Sequence, residues 1–370
     1  MRNLFILLAT AVLNLGFAQD FVMGINFDAG GKFDKSFNEG TWNGFNKGIE
    51  ELKAEGLDVR GVEFEGTPDT FAQGLRQMAE NGADLIVAPG FAQTDAVTAT
   101  STEFPDTSFV IIDSVAENPN VQSVLFREHE GSYLVGYIAG SLSQTGVVGF
   151  VGGMDIPLIH KFNLGYEEGV KAACPDCTVI SNYVGTTPAA WNDPAKAKEL
   201  AAAQQAQGAD IIYAAAGASG NGVIDYVNQT MCYTSDSVRA TSLTTTLAVL
   251  EKSADYNAKC ADGSQPLFFI GVDSNQNYLG DTDGNPDTLN HGLTSMLKRV
   301  DVAAYNAVKA VADGTFEGGI VSLGLDNDGV GYALDDYNNV LIPQEVLDAV
   351  EAIKAQIISG EVVVTDYTAQ

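Results

Sequence analysis

Phe21-Val-Met-Gly-Ile-Asn-Phe27, followed by Asp28-Ala-Gly-Gly-Lys-Phe-Asp34-Lys-Ser36-Phe37-Asn38, decides how this chain folds. The first seven residues are an apolar run of strand length. Beyond Asn38, between Glu39 and Leu52, Trp42, Phe45, Ile49 and Leu52 fall at helical spacing. Strand, glycine-bearing turn and capped helix, in that order, open a doubly wound α/β sheet. In such sheets ligands bind in the crevice beyond the carboxyl ends of the strands. On spacing alone the turn has two readings. It is either a plain connection, bent at Gly30-Gly31 and capped by Ser36 or Asn38, or one wall of a binding site.

The alternation continues along the chain. Strands are predicted at Gly61–Glu65, Leu85–Ala88, Phe109–Ile112, Val147–Val151, Ile211–Ala214 and Leu267–Ile270. Helical patterns lie between most of them, at Thr70–Asn81, Phe162–Ala173, Pro194–Gln207 and Val300–Ala312. This order predicts parallel sheets covered on both faces. Gly82-Ala-Asp-Leu-Ile-Val-Ala-Pro-Gly90 returns as Gly208-Ala-Asp-Ile-Ile-Tyr-Ala-Ala-Ala-Gly217, which predicts equivalent strands in two similar lobes with a cleft between them. Asp326-Asn-Asp-Gly329, flanked by apolar runs, reads as a hairpin turn.

With 370 residues there is room for roughly two domains of about 150 residues each. Nineteen basic against 48 acidic residues give a net charge of -29, which disfavours phosphate backbones and anionic lipid surfaces and leaves uncharged or zwitterionic small ligands. Met1-Arg2-Asn3, the apolar run Leu4–Val12 and the small residues Gly16 and Ala18 read as a secretory leader cleaved after Ala18. With no cysteine near that site and no later apolar run of about 18 residues, the mature chain is expected to be exported, soluble and free of lipid.

The four cysteines fit an oxidising compartment. Cys174-Pro-Asp-Cys177 is compatible with a redox motif, half a zinc site or a small disulfide. It follows a helical run without the thioredoxin-type strand, and Cys232 and Cys260 lack the spacing of zinc ligands. The favoured arrangement is two disulfides, Cys174–Cys177 and Cys232–Cys260.

Catalytic motifs are weak. His129, His160 and His291 are unpaired, and Gly217-Ala-Ser-Gly-Asn-Gly222 fits neither a nucleophile elbow nor a phosphate loop. Asp281–Asp287 starts like a calcium loop but lacks the glycine at its sixth position and the closing glutamate, so it reads as a polar turn. What recurs is polar or aromatic residues just past strand ends: Phe27 and Asp28, Asp113, Gly217, Asp273 and Lys298, with Trp191 in a loop before a helix.

These segments together resemble the basic membrane protein family of ABC-transporter substrate-binding proteins, which includes purine nucleoside receptors. The resemblance spans nearly all of the mature chain. It rests on Asp34-Lys-Ser-Phe-Asn38, Glu130-Gly-Ser-Tyr-Leu-Val-Gly-Tyr-Ile-Ala-Gly140, Val148-Gly-Phe-Val-Gly-Gly-Met-Asp-Ile-Pro157, Asn192-Asp-Pro194, Ala216–Gly222, Gly271-Val-Asp273 and Thr294-Ser-Met-Leu-Lys-Arg299. It implies a type I periplasmic binding fold, two doubly wound lobes joined by three crossings. The lobes are expected at 19–140 with 271–316, and at 141–270 with 317–370, after a leader at 1–18.

The resemblance also implies roles. Phe27 and Trp191 sandwich a nucleobase, although the family more often has phenylalanine at the second position. Asn38, with Asp28 beside it, meets the base edge. Asp113 and Asp273 accept from ribose hydroxyls, Lys298 touches the sugar and offsets the carboxylates, and Gly217 admits the sugar closely. The implied protein is a monomer and not an enzyme, without cofactor or metal and with no nucleic-acid partner. It passes a nucleoside to ABC permease subunits after the lobes close. The competing expectations are a sugar or other polar metabolite in the same fold and, from another class, a nucleoside hydrolase, whose N-terminal aspartate cluster this chain lacks.

Overall fold

Two six-stranded sheets organise the computed structural model, which describes residues 20–235 and 238–369. The leader predicted at 1–18 lies outside the described residues. The chain first builds β1 (Asp20–Phe27), α1 (Phe37–Ala54), β2 (Asp58–Glu65), α2 (Phe71–Glu80), β3 (Leu85–Pro89), α3 (Thr94–Glu103), β4 (Ser108–Ile112) and β5 (Val121–Phe126). It then crosses to the second lobe for α4 (Glu128–Leu142), β6 (Val147–Met154), α5 (Pro157–Ala173), β7 (Thr178–Gly185), α6 (Pro194–Gln205), β8 (Ile211–Ala215) and α7 (Gly220–Thr230). An insertion follows, comprising β9 (Cys232–Tyr233), α8 (Ser242–Val249), α9 (Ala254–Lys259) and β10 (Gln265–Pro266). The second lobe resumes with β11 (Phe268–Asp273) and β12 (Gly292–Lys298). The chain returns to lobe 1 for α10 (Val300–Ala312) and β13 (Gly319–Leu323), and ends in lobe 2 with β14 (Val330–Tyr332) and α11 (Gln344–Ser359).

The strand orders are β13-β5-β4-β3-β1-β2 and β14-β12-β11-β8-β6-β7, the same winding used twice. All pairs are parallel except β12 with β14 and the small β9–β10 ribbon. The central strands are apolar throughout because helices cover both faces; β3 and β8 are buried at every residue. The repeated Gly82–Gly90 and Gly208–Gly217 segments carry β3 and β8, which hold the same place in their sheets.

The three crossings fall at Arg127, Arg299 and Gly324, earlier or later than the sequence predicts. α4 was expected to close lobe 1, but its glycine-rich face packs against α5, with Gly136 and Gly140 against the α5 backbone at Tyr166 and Val170. β11 pairs with β8, so β11 and β12 belong to lobe 2 and only α10 and β13 return to lobe 1. The expected hairpin at Asp326–Gly329 is the third crossing instead: β13 pairs with β5 in one sheet and β14 with β12 in the other. A polar glycine turn between two apolar runs has the same local pattern in both cases. The crossings are tied to one another. The Arg127 backbone N–H donates to the Leu323 carbonyl, that of Arg299 to the Gly329 carbonyl, and the Arg127 guanidinium pairs with Glu130 and Asp326.

Both expected disulfides are present, Cys174–Cys177 and Cys232–Cys260. The second closes the insertion, which sits at the amino ends of the lobe 2 strands: the Leu267 N–H donates to the Met231 carbonyl and Arg239 donates to the Ser143 carbonyl. This is the pole of lobe 2 opposite the carboxyl ends.

Candidate functional site

The carboxyl ends of both sheets face each other across a cavity of about 550 Å³ including its mouth. Asp28, Asn38, Asp113, Trp191, Gly217, Asp273 and Lys298 all line it, brought together from positions 270 residues apart. Phe27 does not. Met23, Ile25 and Phe27 alternate onto the core face of β1, and Phe27 is fully buried there. The lobe 1 aromatics that line the cavity are Phe37, at the start of α1, and Phe91, from the turn after β3.

The turn after β1 is held by Asp34. Its carboxylate accepts the backbone N–H groups of Ser36, Asn38 and Glu39 at 2.9, 2.9 and 3.0 Å, fixing the entry to α1. Asn38 is then oriented: its Oδ1 accepts the Asp28 N–H at 3.0 Å, and its Nδ2 approaches Asp34 Oδ2 at 3.3 Å. The amide therefore offers a ligand mainly its remaining N–H. Asp28 Oδ1 accepts the Ala29 N–H at 2.7 Å, and its other oxygen lies against Gly90, whose φ of 104° and missing Cβ leave it room. Burial pushes the Asp28 carboxyl up to about 6, against the Ala29 hydrogen bond.

Asp113 directly follows β4 and Asp273 is the last residue of β11, which are equivalent strands. Both have left-handed backbone, with φ of 71° and 63°. That conformation strains residues other than glycine and is tolerated best by short polar side chains such as Asp and Asn. Asp273 Oδ2 accepts the Ser36 hydroxyl at 2.6 Å, and burial raises its carboxyl to about 6 against the pull of Lys298. Asp113 Oδ2 accepts from Lys298 Nζ at 2.6 Å, while its buried Oδ1 has no hydrogen-bond partner among the described residues. Burial opposes the charge on Lys298, but Asp113, Glu128 and Asp273 outweigh it and hold the ammonium well above its usual range. The rings of Phe37, Phe126 and Phe162 surround it at 5.1 to 5.5 Å.

Trp191 forms the lobe 2 plate. Its indole lies over Gly153, where a Cβ would run into the ring, and a Cβ at Gly217 would come within 3.7 Å of it. The two lobes also touch at the cleft edge. Asn221 Nδ2 donates to the Asp34 carbonyl at 3.1 Å and Gln276 Nε2 to the Lys35 carbonyl at 2.9 Å, so the lobe 1 turn is tied to lobe 2. The cavity thus offers flat apolar faces, carboxylates able to accept hydroxyl groups, one ammonium and an amide donor.

Several lining residues lie outside the candidate site read from the sequence: Phe37, Gly90, Phe91, Leu158, Ile159 and Val272. The Gly82–Gly90 echo held the signal for two of them. Gly217 is the turn after its strand, and Gly90-Phe91 is the matching turn in lobe 1. The aspartates at 281–287 form the expected polar turn, with Asp281 Oδ1 accepting the Asp283 and Gly284 N–H groups. Among the described residues no cluster of three or more histidine, cysteine or acidic side chains could hold a metal, and no helix is long and apolar enough to cross a membrane.

A family model described as ABC transporter substrate-binding protein PnrA-like matches residues 21–368. The chain is 31% identical over 356 residues to a CD4+ T-cell-stimulating antigen of Listeria monocytogenes, covering 94% of this chain and 89% of that protein. It is also 31% identical over 351 residues to the ABC transporter nucleoside-binding protein BmpA of Lactococcus lactis subsp. cremoris, covering 93% and 89%. Among solved structures, an ABC transporter solute-binding protein from Aeropyrum pernix K1 aligns with a TM-score of 0.74 at 27% identity, covering 94% and 96% of the two chains. One from Conexibacter woesei, at 23% identity with a TM-score of 0.65 over 94% and 99%, shares the fold.

Proposed function

We propose, from the premise that this chain belongs to the PnrA-like Bmp family of ABC transporter substrate-binding proteins, that its ligand is a nucleoside, purine by preference. The observation that carries this is the pairing, in one cavity, of a flat indole face with a buried carboxylate oxygen that has no hydrogen-bond partner among the described residues, Trp191 and Asp113 Oδ1. A base stacks on the indole, with Phe91 contributing from the other lobe. Asp113 and Asp273 accept ribose hydroxyls, Lys298 donates to the sugar and offsets them, and Asn38 donates to the base edge beside Asp28. The Lactococcus relative, whose name states nucleoside binding, supports this reading.

Capture is by rotation about the crossings at Arg127, Arg299 and Gly324, and the closed monomer delivers its cargo to ABC permease subunits. Among the described residues no nucleophile, base and oxyanion donor converge in the cavity, which supports binding without chemistry. The leader read at Met1–Ala18 supports export to the periplasm. Calorimetric titration with inosine, adenosine and guanosine against ribose and glucose tests the ligand. Binding of purine nucleosides is expected; binding of ribose or glucose alone overturns the reading, and release of free base from inosine overturns the absence of catalysis.

A further inference from the structure

A buried ionic chain runs from Lys298, in the cavity wall, into the protein behind it. Glu128 is fully buried at the first residue of α4, immediately after the Arg127 crossing. One carboxylate oxygen meets Lys298 Nζ at 3.1 Å and the other meets Lys161 Nζ, on α5, at 2.6 Å. Lys161 also donates to the Phe126 carbonyl at 2.7 Å, so a single ammonium grips the chain on both sides of the Arg127 crossing. Neither Lys161 nor Glu128 lines the cavity, whereas Lys298 does and sits one residue before the Arg299 crossing.

The charges explain why two ammonium groups are needed. Lys298 is bound to Asp113 and Glu128, and Asp273 adds a further carboxylate near it. Without Lys161, Glu128 would either draw Lys298 out of the cavity or take up a proton in its dry surroundings. With Lys161 in place, burial is outweighed by the two ammonium groups and Glu128 stays ionised below its usual range. The titratable groups facing Glu128 are Lys161 on α5, Lys298 on β12, Asp113 and Asp273 at the ends of β4 and β11, Tyr213 on β8, and its neighbour His129.

We infer that Lys161 and Glu128 are positioning residues: they fix the Lys298 ammonium toward the ligand and link it to the crossing about which the lobes rotate. This rests on the nucleoside reading above. The test is inosine affinity from pH 5.5 to 8.5 for the wild type, Lys161→Met, Lys161→Arg, Glu128→Gln and the double variant Lys161→Met with Glu128→Gln. Thermal unfolding reports folding of each. Lys161→Met is expected to weaken binding about tenfold, the size of one charge-assisted hydrogen bond, and to make affinity change more steeply with pH as Glu128 begins to titrate. Lys161→Arg is expected to stay within about threefold of the wild type, and the double variant to bind better than the sum of the single losses allows.

A Lys161→Met protein that folds and binds inosine like the wild type at every pH overturns the inference, as do strictly additive losses in the double variant. If Lys161→Met does not fold, Glu128→Gln carries the test, and unchanged affinity and pH profile there overturn it. A wild type that binds no nucleoside overturns the underlying reading, and this one with it.

Discussion

Asp113 and Asp273 are counterparts: each stands at the carboxyl end of the equivalent strand of its lobe, each has a left-handed backbone, and the two carboxylates meet in one cavity. The fold has placed the same strained acceptor twice, once from each side. Because Asn tolerates left-handed backbone nearly as well as Asp, replacing either with Asn removes charge without adding strain. Asp113→Asn and Asp273→Asn are expected to weaken nucleoside binding by about 10- to 100-fold each, corresponding to about 1.5–3 kcal/mol for a hydrogen bond to a charged group. The melting temperature should be unchanged or higher. Calorimetry beside thermal unfolding checks both, and full affinity in either variant would remove that carboxylate from the site.

Trp191 and Phe27 separate cavity from core. Trp191→Ala is expected to lose about 1–3 kcal/mol of binding through stacking, with little loss of stability because the ring is only part-buried. Phe27→Ala should do the reverse, costing about 3–5 kcal/mol of stability through a void in the lobe 1 core. Urea unfolding and ligand titration on the pair distinguish the outcomes; a binding defect in a stable Phe27→Ala protein would restore that residue to the site.

Gly153 is the seat of the indole. Adding one methyl group in Gly153→Ala puts a Cβ into the Trp191 ring and should tilt the plate away from the ligand. The expected result is at least about a tenfold weaker affinity, the order of one stacking contact, and a shift in tryptophan emission, since the chain has only two tryptophans. Unchanged emission and affinity would mean that the indole has another place to go.

The raised carboxyls set a pH window. Asp28 and Asp273 stand near 6 in the folded protein against an ordinary 3.8. Between those values the folded chain holds protons that the unfolded chain has released, so their contribution to stability falls as pH rises from about 4 to about 6 and is flat above. Ribose hydroxyls favour the ionised Asp273, so nucleoside affinity should rise through the same window. Melting temperature against pH, with and without saturating adenosine, measures both slopes; parallel curves would show that no carboxylate changes its proton on binding.

The insertion stands apart from the site. Reducing or replacing the Cys232–Cys260 bridge, which spans 28 residues, should cost about 3–4 kcal/mol of stability by the chain-entropy argument. Affinity should be unchanged, because the insertion lies at the opposite pole of lobe 2. Paired serine substitutions followed by calorimetry and thermal unfolding test this, and a loss of affinity in the folded variant would tie the insertion to the cleft.

Much of this was legible in the residues. Periodicity located the principal strands and helices, and the Gly82–Gly90 repeat announced the second lobe. What escaped was non-local. Alternation along β1 sends Phe27 into the core while the residue after it reaches the cavity, and a one-residue difference in where a strand ends decides that outcome. The crossings were misplaced because α4 follows β5 as any lobe 1 helix would, and only its glycine face, fitted to α5, shows where it belongs. The resemblance sets Asn38 at the base edge, but its side-chain carbonyl is taken by the Asp28 backbone N–H, a partner no spacing rule identifies.

The return of α10 to lobe 1 imposes an order on how the protein can be made. Gly44 and Gly48 of α1 lie against the α10 backbone at Asp301 and the Val308 side chain, so residues near the start of the chain wait for residues 300–312 before their face is covered. A polypeptide emerging amino end first completes nearly all of lobe 2 while lobe 1 still shows an open helix face to its surroundings. During synthesis, lobe 1 is therefore the half that stays open longest, and a chain truncated before residue 300 leaves that face uncovered.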